Sequence, residues 1–122
     1  MSTVKANDLT NVTGGIPTVK SQQLIPTAWV NFNGIGTLAI RDSEGVSSVT
    51  DSAVGNYLVN FAITMANSSY CAIASTERTS TWADGGVNVI NYTTTRVHLQ
   101  NVENTAAVDT AIFSVAVMGG QS

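Results

Sequence analysis

The stretch AWVNFNGIGTLAIRDS, residues 28–43, decides the class of fold. Its first six residues place Ala28, Val30 and Phe32 on one side of an extended chain, and Trp29 and two asparagines on the other. An alternation with a period of two is typical of a strand that buries one face. The glycines of the NGIG segment then interrupt the alternation, as the residues of a tight turn do. The stretch therefore predicts a half-buried β-strand, a turn and the start of a second strand, in which Leu38 and Ile40 point inward.

The rest of the chain repeats this pattern in short runs that are separated by turn residues. No window shows the i, i+3, i+4 spacing of an amphipathic helix. The predicted strands cover residues 28–33, 37–42, 45–52, 56–62, 70–76, 87–94, 96–101 and 111–119. Short strands at a spacing of roughly ten residues are typical of a sandwich or a small barrel. We therefore predict an all-β domain over residues 28–122, an antiparallel β-sandwich of jelly-roll-like type.

Residues 1–27, called the leading segment below, differ from this domain. They show no persistent helix or strand period, and two glycines and two prolines interrupt them. Such a segment cannot bury enough apolar surface to fold alone. Two interpretations stay open: a disordered tail, or an extended N-terminal arm that becomes ordered on a partner or on sister subunits. In the second interpretation, the anchoring residues are Val4, Leu9, Val12 and Ile16.

The composition restricts the class of partner. Of 122 residues, 43% are hydrophobic and only 11% are charged, and the net charge is −3. Because ordinary soluble domains carry about 25% charged residues, this composition suits a protein that hides much of its surface against copies of itself. The five Lys and Arg residues are scattered, so we expect neither nucleic acid nor a membrane surface as a partner. No run approaches the roughly 20 apolar residues of a membrane span, so we expect no membrane insertion. The first 15 residues lack the apolar core of a signal peptide, and we expect the chain to be made in a cytoplasm.

No group of residues indicates catalysis or metal binding. His98 is the only histidine, and the alternation in RVHLQ places it on the outer face of a strand without a second ligand. Cys71 is the only cysteine, and its apolar neighbours in SSYCAIAS predict a small buried side chain. The eight carboxylates are dispersed, mostly at turns, where Asp hydrogen-bonds its own backbone. We therefore predict no catalytic residue, no metal site and no cofactor, and a protein that is not an enzyme.

One polar loop, STERTSTWADGG at residues 75–86, is a candidate binding site. Loops on a rigid sandwich commonly carry binding residues. Here Arg78, Trp82 and Asp84 could stack a sugar ring and hydrogen-bond its hydroxyl groups, as a receptor-binding loop would. The alternative is that Trp82 folds back as a lid on the edge of the sandwich.

The first half of the domain carries a series of strand motifs that are found together elsewhere. The motif residues are Ala28 to Gly34, Gly36, Ile40-Arg41, Val46-Ser47-Ser48, Asp51, Gly55-Asn56-Tyr57 and Val59-Asn60-Phe61. This series resembles a repeated theme in tail-fibre and other virion structural proteins of tailed bacteriophages, notably marine and cyanobacterial ones. ANSSYCAIAS, the start STVKANDLTNVTGG and the end VDTAIFSVAVMG are similar to further parts of those proteins. The loop that contains Trp82 does not match them.

The resemblance implies a phage virion protein, a homotrimer made in the host cytoplasm. Its leading segment would dock to other tail or head proteins, and its β domain would project and contact a glycan or protein of the host surface. The last strand is apolar on both faces, so it should lie between two layers or at a subunit interface. Trp29 is too large to leave in water, and it could cover a neighbouring subunit or anchor the leading segment. The residues expected at the subunit interface are Trp29, Phe113 and Val115. With 122 residues the chain is too short for a long shaft, so a short tail fibre or a tail-tip appendage is expected.

Two other functions stay open. A capsid decoration or head-fibre protein would share the fold and the oligomer but dock its leading segment elsewhere. A monomeric carbohydrate-binding module would be a stable single chain that loses binding on Trp82→Ala.

Overall fold

In a computed structural model of the chain, residues 2–19, 22–77 and 85–121 are described. Within these ranges the chain forms eleven β-strands and no helix. The strands are β1 (Thr18–Val19), β2 (Gln22–Gln23), β3 (Ala28–Asn33), β4 (Ala39–Glu44), β5 (Val46–Ala53), β6 (Asn56–Phe61), β7 (Cys71–Thr76), β8 (Gly85–Tyr92), β9 (Arg96–Glu103), β10 (Ala106–Ala107) and β11 (Phe113–Met118). β1 and β2 pair with each other inside the leading segment, and the other nine strands build the domain.

The domain consists of two antiparallel sheets. The four-stranded sheet has the order β4-β3-β11-β7. In the five-stranded sheet β10, β9, β6 and β5 follow one another, and β8 also pairs with β9. One cluster of buried residues, drawn from both sheets, forms the core. The prediction of an all-β, antiparallel β-sandwich is therefore confirmed.

Alternation along four strands supplies this core. Every second side chain of β3, β6, β9 and β11 is buried, as the sequence pattern predicts. At the centre, the ring of Phe32 stacks on that of Phe113 with centroids 4.9 Å apart, and Tyr57 meets both rings edge-on at 5.1 and 5.4 Å. Since Phe32 and Phe113 belong to one sheet and Tyr57 to the other, these contacts join the two sheets. Burying a side chain of this size contributes about 1.5–3 kcal/mol.

The chain passes from one sheet to the other at Gly45, the single residue between β4 and β5. Gly45 has a φ of +69°, in the left-handed region that favours glycine. A Cβ atom at this position would lie 2.6 Å from the carbonyl oxygen of Thr27. The Gly45 carbonyl accepts a hydrogen bond of 3.0 Å from the N–H of Ala62. This corner joins the β4 edge of one sheet to the β5 edge of the other.

Phe113 and Val115 are core residues, and their predicted place at a subunit interface is wrong. Both are buried between the two sheets of a single chain, so neither has surface to offer to another subunit. The last strand, β11, lies in the middle of the four-stranded sheet, between β3 and β7. Its inner face is apolar because it packs into the core between the two sheets. Of the three predicted interface residues, only Trp29 lies on an outer face.

A further prediction about burial is wrong. Cys71 is exposed, because its register opposite Met118 places it on the outer face of β7, an edge strand. Ile40 lies opposite the core residue Phe32, on the inner face that the alternation predicts. Its side chain is nevertheless exposed, because β4 is the other edge strand of this sheet.

The turn between β9 and β10 contains a strained threonine. Asn104 and Thr105 have φ values of 51° and 69°, as both central residues of a type I′ hairpin turn must. Asn tolerates this conformation, whereas a β-branched residue does not. We expect Thr105→Gly to raise the free energy of unfolding by about 1 kcal/mol, which corresponds to a rise of several degrees in Tm. Differential scanning calorimetry measures the change.

The matched control for this turn is Thr50→Gly, the same replacement at an exposed position within β5. Thr50 is not among the residues with positive φ, so glycine there only weakens a strand and lowers Tm. A fall in Tm for both variants would contradict the assignment of strain to Thr105.

Candidate functional site

The candidate site lies on the outer face of the four-stranded sheet, and we call it the outer groove. Alternate residues of β3, β11 and β7 point away from the core onto this face. The groove has a volume of about 260 Å³. The outer-face side chains that line it are Trp29, Asn31, Ile73, Ser75, Ser114 and Ala116.

The first row of the outer groove is apolar. The backbone register places Ala116 between Trp29 on one side and Ile73 on the other. Trp29 is half-buried and Ile73 is 59% exposed. The small alanine therefore forms a floor between two large apolar side chains. A concave apolar strip with an aromatic wall is the type of surface that accepts an anchoring side chain of a partner.

The second row of the groove is polar and internally hydrogen-bonded. Ser114 lies between Asn31 and Ser75 in the backbone register. The Asn31 Nδ2 group donates a 2.8 Å hydrogen bond to Ser114 Oγ. The Arg41 guanidinium donates to Asn31 Oδ1 at 3.2 Å and to the Ala111 carbonyl oxygen at 2.6 Å. These bonds fix the Asn31 amide beside the indole of Trp29, so the groove offers apolar contact together with a few oriented polar groups.

In the described strands of this sheet, the charged side chains lie on the edge strand β4. Glu44 lies opposite Trp29, and Asp42 lies opposite Asn31. None of the described residues that line the outer groove is charged. Desolvating a charged side chain is costly, so this lining favours an apolar or weakly polar ligand.

The predicted anchoring residues of the leading segment do not meet at this site. The side chains of Val4, Leu9 and Val12 are each at least 65% exposed in the single chain. Ile16 is half-buried and lines a second pocket of about 370 Å³, together with Gly45, Met65 and other residues. None of the described residues of the leading segment lines the outer groove. The anchoring role of these four residues stays a prediction.

The predicted receptor-binding residues Arg78, Trp82 and Asp84 lie outside the described residues. Glu77, just before them, is exposed, and its N–H donates to the carbonyl oxygen of Ile112 at 3.0 Å. The role of the loop stays a prediction.

His98 occupies the outer face of the five-stranded sheet, as predicted from the alternation of β9. Its Nε2 atom lies 3.2 Å from Asn56 Oδ1, which also accepts a hydrogen bond of 3.3 Å from the Gln100 side chain. Among the described residues there is no group of three or more His, Cys, Asp or Glu side chains that could hold a metal ion. In the same part of the chain, we find no helix that could cross a lipid bilayer.

One of the two large side chains beside the groove is predictable from the sequence. The size of Trp29 and the alternation around it place it on the outer face. The face of Ile73 is not predictable, because both sets of alternate residues in YCAIAST contain small or apolar side chains. The pairing of β7 with β11 makes Ile73 an outer-face residue, and this long-range register has no local signal in the sequence.

Comparison with known proteins adds no relative. No protein family, no curated protein and no solved structure matches this chain significantly. The function of this chain is therefore inferred from its own residues and from the motif resemblance described above.

Proposed function

We propose that this chain is a non-enzymatic structural protein of a bacteriophage particle, a short tail fibre or tail-tip appendage that works as a homotrimer. The leading segment anchors it to other proteins of the virion, and the β-sandwich projects and contacts the host surface. The observation that carries the proposal is the outer groove, an apolar strip on a domain whose core is already complete.

The outer groove supports an assembly of several copies. In this sheet, the core is filled by the inner-face residues of β3, β7 and β11, so it does not include Trp29, Ala116 or Ile73, which lie on the outer face. Aromatic residues are enriched at the centres of subunit interfaces. Covering the exposed part of Ile73 contributes up to about 1.5–3 kcal/mol for each contact, and a closed ring of three subunits contains three such contacts.

The leading segment supports an attachment role. Five of its large apolar side chains are exposed in the single chain, namely Val4, Leu9, Val12, Leu24 and Ile25. A segment of this composition becomes ordered at the expense of binding energy from a partner. The strand motifs of residues 28–61 and their resemblance to phage fibre proteins supply the kind of particle.

A single substitution in the groove tests the assembly. We expect the full chain to have the mass of three 12.7 kDa subunits in light scattering, and Ile73→Asp to convert it to single chains. A carboxylate in this apolar strip must be desolvated on assembly, so the association constant falls by at least 100-fold. The Ile73 side chain is 59% exposed, and the variant therefore folds normally, which circular dichroism verifies.

The matched control is Val54→Asp. Val54 is 62% exposed and lies between β5 and β6 of the other sheet. This variant adds the same charge on an equally exposed apolar residue and should remain a trimer. A wild-type chain that stays single at high concentration contradicts the proposed assembly.

Location on the particle separates a tail appendage from a head protein. Electron microscopy of purified particles labelled with antibodies against the chain should show label on the tail. Label over the head would favour the capsid decoration or head-fibre alternative, and intact particles without label would contradict both.

A carbohydrate-binding module is the second candidate, and the pairing of Trp29 with the fixed Asn31 amide favours it. An indole face can stack on a sugar ring while an amide and a hydroxyl group bind its oxygens. This function predicts a single chain that binds glycans on an array and loses that binding on Trp29→Ala. Binding by a single chain would replace the proposed trimer with this alternative.

A further inference from the structure

We infer that the outer groove of one copy is occupied by the leading segment of a second copy, with Val4, Leu9 or Val12 seated between Trp29 and Ile73. This inference rests on the proposed homo-oligomer and names the part of the partner that covers its groove. It makes the leading segment a clasp between subunits as well as an anchor.

Both surfaces expose large apolar side chains in the part of the chain that the structure describes. The described residues that line the groove are uncharged, and its apolar row has one large exposed side chain, Ile73. In the leading segment, Val4, Leu9 and Val12 are exposed to at least 65%. The two surfaces therefore match in polarity.

The end of the leading segment contacts a different part of its own domain. Gly15 and Ile16 line the pocket beside Gly45 and Met65, at the corner where the chain crosses between the sheets. No described residue of the leading segment lines the outer groove of its own domain. Since Val4, Leu9 and Val12 are exposed on their own chain, they are available to contact the groove of a neighbouring domain.

The two edge strands of the four-stranded sheet differ in the features that hinder pairing with a further strand. Edge strands are usually protected by charge, proline or bulges. β4, at one edge, carries Arg41, Asp42 and Glu44 and a register shift. β7, at the other edge, has the sequence CAIAST and pairs with β11 in an unbroken register of six residues. β7 itself carries no charge, proline or bulge, and it borders the outer groove at Ile73, so an extended segment of a partner can pair with this edge and cover the groove at once.

The length of the leading segment allows it to reach the outer groove of a neighbouring copy. An extended chain spans about 3.3–3.6 Å for each residue, so the stretch from Ile16 back to Val4 reaches up to ~40 Å. A domain of this size is roughly 30 Å across. The segment is therefore long enough to cross from the corner of its own domain to the groove of a neighbour.

The native cysteine provides the test. Cys71 is exposed on the outer face of β7, two residues from Ile73 and on the same side. Three variants of the full chain each add one cysteine to the leading segment, Val4→Cys, Leu9→Cys and Val12→Cys. After mild oxidation, we expect at least one of them to form disulfides between different chains, visible as covalent dimers and trimers on a non-reducing gel. Peptide mapping should identify Cys71 as the partner thiol.

Two controls separate this result from random oxidation. Cys71→Ser, added to the variant that cross-links, should remove the covalent trimers. Thr50→Cys, on the exposed face of β5 in the other sheet, should not cross-link to Cys71. Light scattering of the same samples before oxidation records whether the chains are assembled.

The remaining outcomes are decisive. Assembled chains that form no disulfide from any of the three positions overturn the clasp and leave the proposed assembly intact. A disulfide within one chain, seen as a thiol-free monomer, assigns the groove to the segment of the same chain and also overturns the inference. Chains that are single before oxidation overturn the proposed function and the clasp together.

Discussion

Gly34→Ala should destabilise the domain more than any other single methyl group added to a described glycine with an ordinary φ. A Cβ atom at Gly34 would overlap the Tyr57 hydroxyl oxygen and lie 2.6 Å from Tyr57 Cζ. The ring of Tyr57 cannot move away, because it is fully buried against Phe32 and Phe113. Overpacking costs about 1–3 kcal/mol, and breaking the hydrogen bonds of the buried hydroxyl costs a further 1–3 kcal/mol or so.

The expected loss of about 2–6 kcal/mol is a large part of the stability of a small domain, which is roughly 5–15 kcal/mol. Urea unfolding followed by tryptophan fluorescence measures it. The matched control is Gly86→Ala, because a Cβ there has nothing within 4 Å and Gly86 is not among the residues with positive φ. In the double variant Gly34→Ala/Tyr57→Phe, the loss should be smaller than the sum of the two single losses, since the hydroxyl that clashes is gone. Additive losses would show that the clash is not with the Tyr57 hydroxyl group.

The inward positions of the core strands were predictable from the sequence because they depend on local alternation alone. Strands β3, β6, β9 and β11 each keep a strict period of two, and their apolar parity is the buried one. The same alternation does not show which strands lie at the edges of a sheet. Ile40 shares the inner face with Phe32 but stays exposed, because β4 is an edge strand. Cys71 is exposed because β7 is the other edge strand, whose outer side chains stay uncovered in a single chain.

The candidate site was predictable only on the strand that contains its tryptophan. Phe113 and Val115 were expected at an interface because a strand with apolar residues on both sides can lie either inside a sheet or between subunits. The sequence does not distinguish these two environments, and the register with β3 and β7 does. The same long-range register creates the groove, by bringing Ile73 next to Ala116 and Trp29.

The polar end of the core was also beyond sequence analysis. The Tyr57 hydroxyl donates to Asp109 Oδ1 at 2.7 Å and lies 2.9 Å from the Gly34 carbonyl oxygen. Asp109 Oδ1 also accepts a hydrogen bond of 2.7 Å from the Gly55 N–H. These residues lie on three separate segments, and the sequence presents Asp109 as one more turn carboxylate. The network explains why a tyrosine, and not a phenylalanine, occupies the centre of the aromatic cluster.

Tyr57→Phe should change the stability of the domain in a way that depends on pH. Burial, followed by the hydrogen bond to Asp109 and the charge of that residue, raises the pKa of Tyr57 above its ordinary value of 10.0. Burial also raises the pKa of Tyr70, whose hydroxyl lies 3.0 Å from the Thr93 carbonyl oxygen. In the unfolded chain both phenols ionise near pH 10, whereas in the folded chain they stay protonated to higher pH.

The sign of the effect follows from proton binding. Above pH 10 the unfolded state holds fewer protons than the folded state, so each shielded phenol lowers the free energy of unfolding by up to about 1.4 kcal/mol for each pH unit. This contribution is fully present below pH 10 and is lost as the pH rises toward the raised pKa. Replacing Tyr57 removes one of the two contributions to the alkaline slope. Near neutral pH, the same replacement costs about 1–3 kcal/mol, because the Asp109 carboxyl and the Gly34 carbonyl lose a donor.

Urea titrations at neutral pH and at several values above pH 10 measure both effects. Tyr57→Phe should be clearly less stable than the wild type at neutral pH, and the gap should narrow steadily in alkali. Tyr70→Phe is the comparison variant, and it should flatten the alkaline slope while leaving the Tyr57–Asp109 bond in place. A constant gap between Tyr57→Phe and the wild type across the alkaline range would mean that the Tyr57 phenol ionises as easily in the folded chain as in the unfolded one. Since a phenol enclosed by Phe32, Phe113 and Asp109 cannot do so, that result would refute the packing of the core described here.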